Sequence, residues 1–313
     1  MTTSDGRYLS LKDQGKLSYV IGPYREPVMR IRPGERVVVE TEDAFESKLK
    51  TTSDMPRDHL VLPYLNPQSG PIHVEGAEKG DTLLVHIHGI EPLAPGADAG
   101  TTCLIPEFGG LTGTTKTALL NDPLPQIVKK LRIEDGFIYW SEQIKIPYEP
   151  FVGTIGTAPE IEAISSLTPA EHGGNMDLPD VGPGSTLHLP VYMEGAHLYL
   201  GDVHACQGDG ELCGVAVEMR AKVAFSVELR KGVTISWPRL ETNDFVMTIG
   251  SGRPMEDAAR IAYRELVFWM EQEFGFERLE AYMLLTQVGR MRLANMVDPN
   301  YTMGAWVSRD YLG

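Results

Sequence analysis

The run VAVEMRAKVAFSVELR, residues 215–230, carries an apolar or small side chain at every second position: Val215, Val217, Met219, Ala221, Val223, Phe225, Val227 and Leu229. A period of two puts alternate side chains on opposite faces of an extended chain, which a helix cannot match. The run therefore predicts a strand, or two in succession, with one buried and one wet face. GERVVVETED (34–43) and GDTLLVHIHGI (80–90) predict further strands, and STLHLPVYMEGAHLYLGD (185–202) predicts a hairpin turning near Glu194 and Gly195. With 32 Gly and 22 Pro, turns come often, which suits many short strands.

Helical spacing is confined to the last quarter. Pro254 can open a helix, Glu256 and Asp257 suit its positive first turn, and Ile261, Leu266, Trp269 and Met270 repeat on one face before Gly275. A second helix is predicted over 277–287. Residues 95–120 show little periodicity and read as a long loop. The fold class that follows is mainly β, a sandwich or barrel-like scaffold, with a smaller α+β C-terminal portion. We place the scaffold over 1–250, readable as two intertwined β-subdomains, and the α+β portion over 251–313.

The net charge of −15 disfavours a polyanionic partner, and the densest basic cluster, Lys129, Lys130 and Arg132, is too small to reverse that; nucleic acid is not an expected partner. No apolar run approaches the roughly 20 residues of a membrane-spanning helix. The N-terminus lacks a signal-like apolar segment, and three cysteines are too few for a disulfide framework, so a cytoplasmic location is expected.

Chemistry concentrates in GDVHACQGDGELCG (201–214). Asp202 and His204 stand two apart at a strand end, so both side chains leave on one face, and imidazole and carboxylate are ordinary ligands of one divalent ion. Gln207, Asp209 and Glu211 follow, with Gly208 and Gly210 free to adopt positive φ and admit a ligand. The plain alternative is a wet loop. Asp43 and Glu218 have plain explanations as a turn residue and a solvated strand residue, and HGGNMD (172–177), with His172, Asn175 and Asp177, as an Asx-type turn. His86 and His88 form an H-x-H pair with no acid beside it, and read as exposed histidines. No G-x-S-x-G, H-E-x-x-H or P-loop pattern occurs.

GDVHACQGDGE closely resembles the signature block of the acetamidase/formamidase family. VVVETEDAF (37–45), NPQSGPIHVEGAEKGDTL (66–83), PFVGTIGTAP (150–159), HGGNMD (172–177), GSTLHLPV (184–191) and PRLET (238–242) follow the family's segments in order, so the resemblance runs from about residue 25 to 300. LTQVGRMRLANMVDP (285–299) is looser, with Met291 and Ala294 where polar residues are usual. GPYREPVMRIRPGE lacks the Trp-Asp-Asn-type stretch many members carry.

The resemblance implies a metal-dependent hydrolase of short aliphatic carboxamides, releasing ammonia and a carboxylate, mainly β in fold and assembled as a homo-oligomer. The divalent metal is expected to be Zn, with room for a second cation such as Ca. Asp43, Asp202 and His204 are the expected ligands, with Asp177 and Glu218 as further ones. Glu211 or Asp209 is the expected general base, and His172 a proton-transfer partner. Gln207 and Asn175, with Gly208 and Gly210, are expected to bind the carboxamide. A hydrolase of another C–N substrate, or a non-catalytic cation-binding β-module, are the alternatives.

Overall fold

The structure, a computed structural model, describes residues 6–106, 108–111 and 124–313. The alternating run is buried as expected on one face, from Val215 to Val227. It changes sheets at Arg220: Glu218–Met219 is a strand of a ten-stranded sheet, and Ala221–Arg230 a strand of a nine-stranded one. Beyond that step the even positions are wetter, with Glu228 exposed, but Glu218 points inward and is only 3% exposed. The wet face expected at Glu218 is a buried one.

The nine-stranded sheet is centred on Ala221–Arg230, Thr82–Pro92 and Thr186–Pro190. The ten-stranded sheet is centred on Leu198–His204, flanked by Phe151–Thr157 on one side and by Gln68–Val74 and Glu218–Met219 on the other. Both sheets contribute to one core, with Val85, Leu187 and Phe225 from the first packed with Ile72, Ile155 and Leu200 from the second. The structure is mainly β with few helices.

Two sequence expectations are corrected. The run 185–202 is no hairpin: Thr186–Pro190 and Leu198–His204 lie in different sheets. The intervening backbone bonds elsewhere, Gly195 N–H to Ala77 and Ala158 N–H to Ala196, so no ladder closes between the two strands. The long loop over 95–120 contains a nine-residue strand, Gly96–Leu104, antiparallel to Ile127–Glu134. Its Gly, Ala and Thr content hides the periodicity; residues 107 and 112–120 of that stretch lie outside the described residues.

Helix Met255–Glu273 buries Ala258, Ala262, Leu266, Trp269 and Met270, and Val246, Ala305 and Val307 of the nine-stranded sheet join the same cluster. Contact is close enough that a Cβ on Gly250 would sit 2.3 Å from the Ala258 carbonyl oxygen. Helix Arg278–Val288 follows, capped by the Glu277 carboxylate. Strands Arg290–Asn295 and Tyr301–Ser308 then complete the nine-stranded sheet, which carries the C-terminal segment back to the scaffold. Among the described residues no helix is long and apolar enough to cross a membrane.

Candidate active site

Strand register assembles the site. Glu218 lies directly opposite His204, and directly opposed residues of an antiparallel pair share a face. Asp202 is two residues earlier on the same strand, so three potential ligands converge. His204 Nε2 lies 3.3 Å from Asp202 Oδ1 and 3.4 Å from Glu218 Oε1. Charge-assisted hydrogen bonds are shorter, about 2.7–2.9 Å, whereas two ligands held about 2.1 Å from a tetrahedral ion are about 3.4 Å apart. The spacing is that of a coordination edge.

The imidazole is fixed from behind. Gln207 Nε2 donates to the carbonyls of Asp177 and Ala294, both at 2.9 Å, which turns Gln207 Oε1 toward His204 Nδ1 at 2.9 Å. That oxygen can only accept, so Nδ1 carries the proton and Nε2 faces the acids. Phe151 packs edge-on against the ring at 5.0 Å. Asp202 Oδ2 accepts from Asn66 Nδ2 and Thr154 Oγ1, both at 3.1 Å. Gly153 gives the carboxylates room: a Cβ there would lie 2.8 Å from Asp177 Oδ1 and 3.0 Å from Asp202 Oδ2. Of nine described non-glycine residues at positive φ, four are here, Asn66, Asp177, Asp202 and Glu211, a local concentration of backbone strain of the kind found at functional sites.

The electrostatics suit a cation. Asp177, Asp202, Glu211, Glu218 and Asp298 are all buried, and Asp177 is hydrogen-bonded to Asp298. Burial pushes Asp177, Glu211 and Asp298 well above the carboxylate range, and neighbouring acids add to it; Glu218 is pushed up to about 7 by burial. Burial opposes the charge of Asp202 too, but the neighbouring His204 and the bonds it receives hold it low. Burial likewise opposes a charged His204, and Glu218 and Asp202 outweigh it. Without a cation the acids that burial raises stay largely protonated, and their ionisation awaits a positive partner. Asp177 Oδ1 and Glu218 Oε2 are moreover buried without any hydrogen-bond donor, a costly state that a divalent ion relieves. Two sets of ligand atoms lie within 4.8 Å of one another, Asp177, Asp202 and His204, and His204, Glu211 and Glu218. These residues fit a metal.

Beside them is a cavity of about 80 Å³, lined on its charged side by Asp202, Glu211, Glu218 and Asp298. Drug-sized ligand sites measure about 300–1,000 Å³, so the enclosed part of this one suits a small molecule.

Several residues singled out in the sequence sit elsewhere. Asp43 is outside both ligand sets: its Oδ1 accepts from the amides of Phe45 and Ser47 at 2.8 and 2.9 Å, holding its own turn. Asp209 is exposed and pairs with Arg292 at 2.8 Å, so of the two base candidates Glu211 alone lines the cavity. His172 is buried with neither ring nitrogen bonded and lines no part of the cavity; burial lowers it to about 4, so it is neutral. Gln207 spends its amide on the imidazole and two carbonyls. Asn175 lines the cavity but accepts from Asn66 Nδ2 at 2.9 Å and donates to Asp298 at 2.8 Å. Gly208 is exposed with open space around it, and Gly210 bonds the backbone of Leu293. Neither lines the cavity; the glycine that does is Gly214. His88 is exposed and bonds Ser226, but His86 is half-buried, bonds Thr186 and has the Glu228 carboxylate 3.5 Å from its ring, an acid the H-x-H spacing did not show. Asn66, Gly153, Thr154, Asp298 and Asn295, whose amide donates to the Asn175 and Met176 carbonyls at 3.3 and 3.4 Å, escaped notice in the sequence, although each lies in a quoted segment.

The acetamidase/formamidase pattern matches residues 21–168 and 160–311, nearly the whole chain. The chain belongs to the acetamidase/formamidase family. Among solved structures, an acetamidase from Yersinia enterocolitica is 50% identical, with a TM-score of 0.96 over 100% of this chain and 94% of that one. An acetamidase from Bacillus halodurans is 31% identical, with a TM-score of 0.88 over 98% of this chain and 99% of that one. An acetamidase of Mycolicibacterium smegmatis is 29% identical over 64% of this chain and 63% of its own length. The chain spans about three fifths of the length of the curated family members it matches.

Proposed function

We propose that the chain is a metal-dependent amidohydrolase of short aliphatic carboxamides, of the formamide and acetamide kind, producing ammonia and a carboxylate. The observation that carries this is the buried His204 Nε2 at coordination spacing from Asp202 and Glu218, beside a cavity suited to a small molecule. Asp202, His204 and Glu218 would hold the ion, with Asp177 within reach. When bound, a divalent ion such as Zn²⁺ polarises a carbonyl and acidifies a water.

The chain's own residues supply the rest. Gln207 keeps the Nδ1–H tautomer of His204, leaving Nε2 free to ligate. Glu211 stands beside the ion's ligands, where the cation would favour its ionised form; it would then take a proton from the attacking water as the C–O bond forms, and deliver it to the nitrogen as the C–N bond breaks. Asp298, held by Asn175, is an acceptor for the carboxamide N–H groups. Burial of these acids lowers the local dielectric, which strengthens each of these interactions. The same reading carries assembly into a homo-oligomer, for which exposed Leu279, Tyr282 and Met283 on helix Arg278–Val288 offer an apolar face.

The test is ammonia release from formamide, acetamide, propionamide, urea and aryl amides by metal-loaded protein and by Glu211→Gln. Turnover of the short amides, falling about 10²–10⁴-fold in the variant at equal metal content, is expected. Bound metal with no ammonia from any substrate would favour a cation-binding module instead.

A further inference from the structure

The cavity has two distinct walls. The charged one is described above. The other is apolar: Phe45, Ile105 and Val215 form one buried cluster, with Leu60 and Phe108 packed against it, and all five line the cavity. With the reacting carboxamide facing the acids, an acyl chain laid along this apolar wall gains from burying each methylene.

Phe108 differs from its neighbours. Phe45, Ile105 and Val215 are core residues, 6–8% exposed, whereas Phe108 is half-buried and packs over bare backbone. A Cβ on Gly214 would lie 2.3 Å from Phe108 Cε1 and 2.6 Å from Cδ1, so the ring occupies the space that only a glycine leaves open. Gly214 N–H in turn donates to the Glu211 carbonyl at 2.7 Å, and Gly110 N–H to the Leu212 carbonyl at 2.8 Å. The ring is therefore docked on the same turn that carries the proposed base.

We infer that Phe108, seated on Gly214, is the acyl-length gate of the site: its ring ends the apolar wall and restricts the substrate to the shortest aliphatic amides. This rests on the amidohydrolase reading. Phe108 packs on the cluster without being one of its buried members, so truncating it enlarges the cavity on that side, and a methylene in such a pocket is worth about 10-fold or more in kcat/KM.

The experiment is kcat/KM for formamide, acetamide, propionamide, butyramide and hexanamide with wild type, Phe108→Ala and Phe108→Leu, alongside metal content and circular dichroism. The butyramide-to-acetamide ratio should rise about 10-fold or more in Phe108→Ala, with a smaller rise in Phe108→Leu. An unchanged ratio in an active, folded variant overturns the gate and leaves the amidase reading standing. Should Phe108→Ala fail to fold, the ratio in Phe108→Leu decides the matter. Wild type that turns over none of the amides overturns the amidase reading, and the gate with it.

Discussion

At the scale of single residues, glycine and glutamine govern the site as much as its acids do. Gly153 has its Cβ position 2.7 Å from the Asp202 carbonyl and within 3.0 Å of two carboxylate oxygens, none able to retreat. Gly153→Ala should therefore lose metal binding and about 1–3 kcal/mol of stability, measured by metal titration and denaturant melts. Gly208→Ala, with nothing within 4 Å, should be close to neutral in both. Gln207→Leu removes the acceptor that fixes the imidazole tautomer, and should weaken metal affinity about 10–100-fold in the same titration. The sequence made Asp202 and His204 legible because a two-residue spacing survives into the strand. It could not reveal Gly153, whose importance lies in an empty volume, nor Asp298, which reaches the cavity from the loosest of the quoted segments. Asp209 and Glu211 were indistinguishable in the sequence, being two apart in one turn; only the direction of that turn separates an exposed ion pair from a buried acid.

At the scale of elements, the strand ends hold the chemistry and cross-strand pairs fix its geometry. Alternation in 215–230 was readable, but the step between sheets at Arg220 was not, since both halves keep the same period. That step brings Glu218 opposite His204. A similar limit hid the crossover between Thr186–Pro190 and Leu198–His204: a turn signal announces a reversal without saying which sheet receives the next strand. The short strand Arg239–Glu241 offers a test of how the C-terminal segment is tied down. Glu241 accepts from His188 at 2.9 Å and from Arg309 at 2.6 Å, and the His188 bond foremost, against the cost of burial, holds it down at about 2. A folded value below the ordinary 4.5 means that Glu241 adds stability above that pH and loses it as pH falls toward 2. The melting temperature of Glu241→Gln should thus lie below wild type at neutral pH, with the gap closing on acidification. A gap that is constant with pH contradicts the assignment.

At the scale of the whole molecule, two sheets enclose a core large enough to bury five acids around one imidazole. A net charge of −15 makes that burial harder, because the surface supplies no compensating field. We propose that a bound cation supplies the compensation; the fold places Asp202, His204 and Glu218 on strands rather than loops, where their spacing is stiffest. Fold class was legible from composition and alternation, and a divalent ion was expected from the spacing of Asp202 and His204; that Glu218 is buried opposite His204 was not legible, because burial is something a sequence does not record. The most direct measurement is the elemental metal content of purified wild-type protein and of His204→Ala. About one divalent ion per chain in wild type, absent from the variant along with ammonia release from acetamide, is the expected result. A His204→Ala protein that retains its full metal content would contradict the ligand set on which the account stands.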